Sequence, residues 1–219
     1  MPQSSVGAPR NGQRSKIAEH EGRTLVWIDE AGFYLLPALV RTWAPVGEPP
    51  IMHAPCSYDH LSTISAITPN GQLLLHVQEQ TYHADDVVRF LEHVLRHIGG
   101  NLLIMWDGAS IHRAQAIKDF LAAGAAQRIH LERLHGYAPD LNPDEGIWSY
   151  LKYRELKNVV CQNKTELRYE LRLAVARLRH KRHGIQGCIA QAGLILKLSM
   201  QRAIPIRQCQ GNVPTTRLV

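Results

Sequence analysis

The sequence predicts an α/β protein, a mixed β-sheet flanked by α-helices, and three observations carry that prediction. Leu25-Val26-Trp27-Ile28 runs unbroken into Asp29-Glu30, and Leu102-Leu103-Ile104-Met105-Trp106 runs into Asp107-Gly108. Continuous apolar runs of this length suit strands buried on both faces. Up to Val77 the pattern is one of strands joined by turns, whereas from Val87 onward helical and strand periods alternate, as they do in βα units laid on a sheet. Two buried strands that each finish in Asp suggest parallel neighbours delivering two carboxylates to one sheet edge, where open α/β sheets hold their sites.

In chain order, Met1 to Arg23 is polar and is expected as a flexible leader or severed linker. The first strand should end near Asp29, with Gly32 allowing a bend before Phe33 to Leu36 continues as a strand that Pro37 breaks. Val40 to Ala44 is expected as a short strand, closed by the turn Pro45-Val46-Gly47. Leu61–Ile67 and Leu73–Val77 flank Pro69-Asn70-Gly71 and form a hairpin. Val87, Val88, Leu91, Val94, Leu95 and Ile98 follow helical spacing, Asp85 and Asp86 suit the helix start, and Gly99-Gly100 ends it. After the strand Leu102–Trp106 come a helix over Ala114–Ala123 stopped by Gly124 and a strand over Ile129–Leu134. A rigid loop, Pro139–Pro143, then leads to helices over Asp144–Leu156, Thr165–Lys181 and Gln186–Met200. The expected order is β-β-β-β-α-β-α-β-α-α.

A chain of 219 residues with 45% hydrophobic content can bury the core of one α/β domain. No apolar run approaches the ~20 residues that span a bilayer. Met1 to Glu21 has no signal-peptide core, so a cytoplasmic protein with no membrane partner is expected. Cys56, Cys161, Cys188 and Cys209 lack the paired spacing of a zinc site or a disulfide framework. The net charge of +6 is unevenly placed: Gly146–Val219 carries 14 Lys/Arg against 3 Asp/Glu (+11), and Met1–Glu145 carries 11 against 16 (−5). A basic second part suits a polyanion, most simply nucleic acid.

A third acid follows Asn142-Pro143, where Asn142 can cap a helix whose first turn holds Asp144 and Glu145. Glu145 either bonds the backbone as half of a capping box or faces the sheet edge with Asp29 and Asp107. Glu30 should point to the face opposite Asp29 and is left out of that group. Ser110 and His112 stand too near Asp107 in sequence for a hydrolase triad, and no G-x-S-x-G elbow is present. His93 and His97 lack the H-E-x-x-H order and read as a solvated face. In the helix after Thr165, Leu167, Leu171, Val175 and Leu178 share one face while Arg168, Arg172 and Arg179 lie on another, available to phosphates.

Trp27-Ile28-Asp29-Glu30-Ala31-Gly32-Phe33, Arg41-Thr42-Trp43-Ala44-Pro45-Val46-Gly47, Trp106-Asp107-Gly108-Ala109-Ser110-Ile111-His112 and Pro139-Asp140-Leu141-Asn142-Pro143-Asp144-Glu145-Gly146-Ile147-Trp148 resemble the signature blocks of DDE transposases. The nearest group is the bacterial insertion-sequence transposases of the Tc/mariner superfamily. The resemblance spans residues 24–157 and implies a ribonuclease-H-like fold and a catalytic, metal-binding triad of Asp29, Asp107 and Glu145. Three carboxylates suit Mg²⁺, with Mn²⁺ able to substitute, because two ions about 4 Å apart can serve in-line phosphoryl transfer. Asp144 is the rival third ligand; the family pattern and the longer reach of Glu favour Glu145. His112 matches a histidine common in the family block and is a possible accessory residue.

The resemblance further implies double-stranded DNA, both transposon ends and target, as partner. Arg168, Arg172, Arg179 and Lys152 are expected to contact it, with a homodimer on the DNA and a nucleoid-associated location in a bacterium. The expected domains are a leader (1–23), a catalytic domain (24–200) and a basic C-terminal tail (201–219). The helix-turn-helix domain usual in the family has no counterpart before Arg23. The expectation is a catalytic half alone, from a split frame or truncation, with a separate helix-turn-helix polypeptide as a further partner. A catalytically silent DNA-binding remnant is the alternative.

Overall fold

Strand β1 (Arg23–Tyr34) runs through the middle of a five-stranded sheet in the computed structural model, which describes residues 18, 20–48, 50–55, 57–134 and 142–193. The expected leader over 1–17, the tail over 201–219, the helix beyond residue 193 and most of the loop before Asn142 lie outside the described residues, as do Cys56 and Cys209. The sheet order is β3-β2-β1-β4-β5, with β2 (His60–Ile67), β3 (Leu73–Gln78), β4 (Asn101–Trp106) and β5 (Ile129–Arg133). β1, β2 and β3 pair antiparallel, while β1, β4 and β5 are parallel.

The apolar run in β1 buries both faces. Leu25, Trp27 and Phe33 enter one core, and Val26 and Ile28 enter the other. Helices α1 (Ala84–His97) and α2 (Gln115–Ala122) cover the Val26 face, and α3 (Pro143–Tyr150), α4 (Lys164–Arg179) and α5 (Arg182–Gln191) cover the Trp27 face. The turn at Pro69-Asn70-Gly71 forms as expected: Gly71 has φ 79° and donates its N–H to Thr68 O at 2.9 Å.

Three elements differ from the sequence expectation. β1 does not bend at Gly32, because antiparallel pairing with β2 continues from Trp27↔Ile67 to Tyr34↔His60. Its parallel pairing with β4 stops at Trp27↔Met105. The half of β1 that carries Asp29 is therefore paired on one side only, and this opens the sheet beside the acids. The expected second strand, over Val40–Ala44, is absent: the described residues there hold no strand. Instead the Asn158 side chain accepts from Val40 N–H at 2.9 Å and donates to Val40 O at 3.0 Å, supplying the bonds a strand partner would. The helix begun at Pro143 changes to a π-helical turn over Leu151–Glu155.

Candidate active site

Register places the first two acids. β1 and β4 run parallel with Trp27 beside Met105 as their last pair, so two residues further on Asp29, in the middle of β1, stands level with Asp107, one residue past the end of β4. The third position comes from α3, whose N-terminus is capped by Asn142 Oδ1 accepting from Asp144 N–H at 3.2 Å. Gly146 lets this helix approach its neighbour closely, since a Cβ there would fall 2.9 Å from Cys188 Cβ in α5.

Asp29 is 9% exposed and accepts a hydrogen bond from Trp148 Nε1 at 2.9 Å. Burial pushes its carboxyl up to about 7; the charges of Glu30 and Glu145 add to this and the Trp148 bond opposes it. Asp144 is wholly buried, and Ser65 Oγ, whose residue faces Asp29 across β2, donates to its Oδ1. Burial drives the Asp144 carboxyl well above the usual range, with Asp29 adding to the effect, and its Oδ2 is without a hydrogen-bond partner. Glu145, one residue on, is exposed.

Asp107 does not follow strand alternation onto the Asp29 face. β4 ends at Trp106, and Asp107 Oδ1 instead accepts from Ala109 N–H at 2.8 Å and meets His112 Nδ1 at 2.9 Å. His112 is buried and lies flat on Trp106, with ring centroids 4.2 Å apart and an interplanar angle of 1°. Its Nε2 meets Glu30 Oε1 at 3.0 Å. Burial opposes charge on His112, but the bond to Glu30, the charge of Glu30 and the Asp107 contacts together raise its pKa. The acids thus divide around β1: Asp29, Asp144 and Glu145 influence one another on one side, and Glu30, Asp107 and His112 meet on the other. Like-charge repulsion among carboxylates favours such a division.

Glu30 has a part here that strand alternation alone hides. Arg133 is a second such residue: a Cβ on Gly108 would overlap its guanidinium, which therefore lies against the backbone next to Asp107. The pairing Trp106↔Arg133, which carries it there, comes only with the sheet. Of the basic residues singled out in sequence, Arg168 donates to Val77 O and Arg179 to Leu73 O, each at 3.1 Å. Arg172 is exposed, and Lys152 Nζ lies 5.3 Å from the Phe33 ring centre.

The profile of the DDE superfamily endonuclease family matches residues 24–168. The chain belongs to this family. The fold of this DDE endonuclease is similar to that of the Mos1 strand transfer complex (TM-score 0.54, 16% identity, 90% of this chain and 68% of that one). It is similar also to the Mos1 mariner paired end complex with Mn (TM-score 0.57, 16% identity, 89% and 68%). A third likeness is to the catalytic domain of Mos1 mariner transposase (TM-score 0.52, 16% identity, 84% and 89%). At these identities the likeness is one of fold, and the sheet of this DDE endonuclease is ribonuclease-H-like. A comparison with curated proteins finds no match.

Proposed function

We propose that this chain is the catalytic domain of a DNA transposase, using Asp29, Asp107 and Glu145 to hold divalent metal for strand cleavage and strand transfer. The observation that carries it is the register that sets Asp29 in mid-β1 level with Asp107 just past the end of β4, where the β1–β4 pairing has stopped, with a third acid on the first turn of α3, in a member of this endonuclease family. The donors are hard carboxylate oxygens, which fit Mg²⁺ or Mn²⁺, and Asp29 is a buried carboxyl with the charges of Glu30 and Glu145 beside it. Bound metal there supplies charge that favours in-line displacement at phosphorus.

The chain's own residues have distinct tasks in this reading. Trp148 fixes one oxygen of Asp29. Exposure supports Glu145 over the wholly buried Asp144 as the third ligand. Arg172 and Lys152 contact phosphates, and the basic second part of the chain adds affinity for duplex DNA, both transposon ends and target. Leu39, Trp43, Val46, Ile51 and Tyr58 are exposed on the segment between β1 and β2, and we assign them to contact with a second copy on DNA. A separate helix-turn-helix polypeptide supplies end recognition.

Nicking of supercoiled plasmid with Mg²⁺ or Mn²⁺ tests the proposal. Asp29→Ala, Asp107→Ala and Glu145→Ala should each abolish nicking while the far-ultraviolet dichroism is kept. Nicking retained by Glu145→Ala and lost in Asp144→Ala would reassign the third ligand. Nicking retained by Asp29→Ala and Asp107→Ala would reject the proposal, and a wild-type chain inert with either metal would favour the silent remnant.

A further inference from the structure

We infer that Glu30 and His112 are positioning residues for Asp107, forming a relay through the buried His112 ring on the face of β1 opposite Asp29. The inference rests on the reading of Asp107 as a metal ligand. His112 is held on three sides: Trp106 stacks on its face at 4.2 Å, Nε2 meets Glu30 Oε1 at 3.0 Å, and Nδ1 bonds the Asp107 carbonyl O at 3.3 Å with Asp107 Oδ1 2.9 Å away. Its side chain is 2% exposed, against 50% for Asp107 and 21% for Glu30. The ring is therefore the fixed element, and the Asp107 carboxylate, on a residue past the end of β4, is what it orients.

The ligand atoms of Glu30, Asp107 and His112 lie within 4.8 Å of one another, which raises the question of a metal held by all three. The hydrogen bonding argues for a relay instead. The two carboxylates lie beside different nitrogens of one imidazole, and Nδ1 also bonds the Asp107 carbonyl, whereas a metal chelated by both carboxylates would share only one of those nitrogens. Groups behind a ligating carboxylate set its orientation, and their loss lowers metal affinity by roughly 10–100-fold. The backbone N–H of Ala109 holds Asp107 Oδ1 as well, so His112 selects among orientations of a carboxylate already tethered to its own loop.

The test is Mn²⁺ affinity of the full chain, read from the electron paramagnetic resonance of free Mn²⁺ with no DNA present. His112→Ala should weaken Mn²⁺ binding by roughly tenfold or more. His112→Asn keeps an N–H donor near the Nδ1 position and should recover most of the loss. Glu30→Ala should weaken binding in the wild-type background but not in the His112→Asn background, because it acts only through the ring. Equal losses from Glu30→Ala in both backgrounds would make Glu30 a ligand and overturn the relay. Wild-type affinity in folded His112→Ala would overturn it too, and if that variant does not fold, the Glu30→Ala pair decides. An Asp107→Ala chain that binds Mn²⁺ as the wild type does would reject the metal reading of Asp107 itself, and the relay with it.

Discussion

Asp29 is a carboxylate withdrawn from water beside other acids, and its titration makes stability depend on pH and on metal. Its folded value near 7 stands above the unfolded 3.8, so the native state keeps a proton that the unfolded chain releases. Stability is complete below about pH 4 and is lost as pH rises through about 7, by at most about 4 kcal/mol from this group. Thermal melts of metal-free protein should show this decline, and Asp29→Asn should flatten it. Saturating Mg²⁺ should raise the melting temperature above pH 7, since a ligand bound only by the native state stabilises it; Asp29→Asn should remove that gain. Asp144 adds a second decline of the same sign, because burial also raises its carboxyl.

Among elements, α3 matters most because it carries Glu145 on a backbone seated close to α5. Gly146→Ala would force a Cβ to 2.9 Å from Cys188 Cβ. It should destabilise by roughly 1–3 kcal/mol, the usual range for overpacking, measured by urea unfolding. It should lower Mg²⁺-dependent nicking further than the stability loss explains, because Glu145 moves with the helix. Helix α4 has a second task at the sheet edge. Arg168 and Arg179 bond Val77 O and Leu73 O on β3, the edge strand, and so cover carbonyls that would otherwise invite another chain. Replacing both with Ala should promote aggregation on mild heating, followed by light scattering, as well as weakening DNA binding. Arg172→Ala, at an exposed position, isolates the DNA contribution.

At the scale of the whole molecule, charge and function are laid out unevenly. The acids at the sheet edge belong to a part of balance −5 and the basic groups to a part of balance +11. Contacts from such groups go mostly to phosphate, which releases counterions and carries no base code. The chain should therefore bind unrelated duplexes alike and weaken steeply with salt. Arg172→Ala should flatten the salt slope by about one unit if it holds one phosphate. Strong preference for one sequence in a titration across salt would contradict this. Trp43→Ser with Ile51→Ser should reduce self-association on DNA, seen by sedimentation, and leave the melting temperature unchanged, because both side chains lie outside the core.

The residues by themselves determined the mixed α/β class, the two buried parallel strands, the end of the second just before Asp107, the Gly71 turn, the helix cap at Asn142 and the family. Each is a local matter: apolar period, turn chemistry or a contiguous motif. Tertiary structure alone decided the rest. The first strand, expected to end near Asp29, runs on to Tyr34. Gly32 stays in one long strand because β2 pairs across it, and Val40 forms no strand because Asn158, 118 residues away, takes its backbone bonds. Arg168 and Arg179 are an apparent solvent stripe on a helical wheel, yet their guanidinium groups reach an edge strand. Glu30 points away from Asp29, as strand alternation requires, and meets His112, 82 residues on. Such partners are set by packing and register, which bring together side chains that no local pattern in the sequence links.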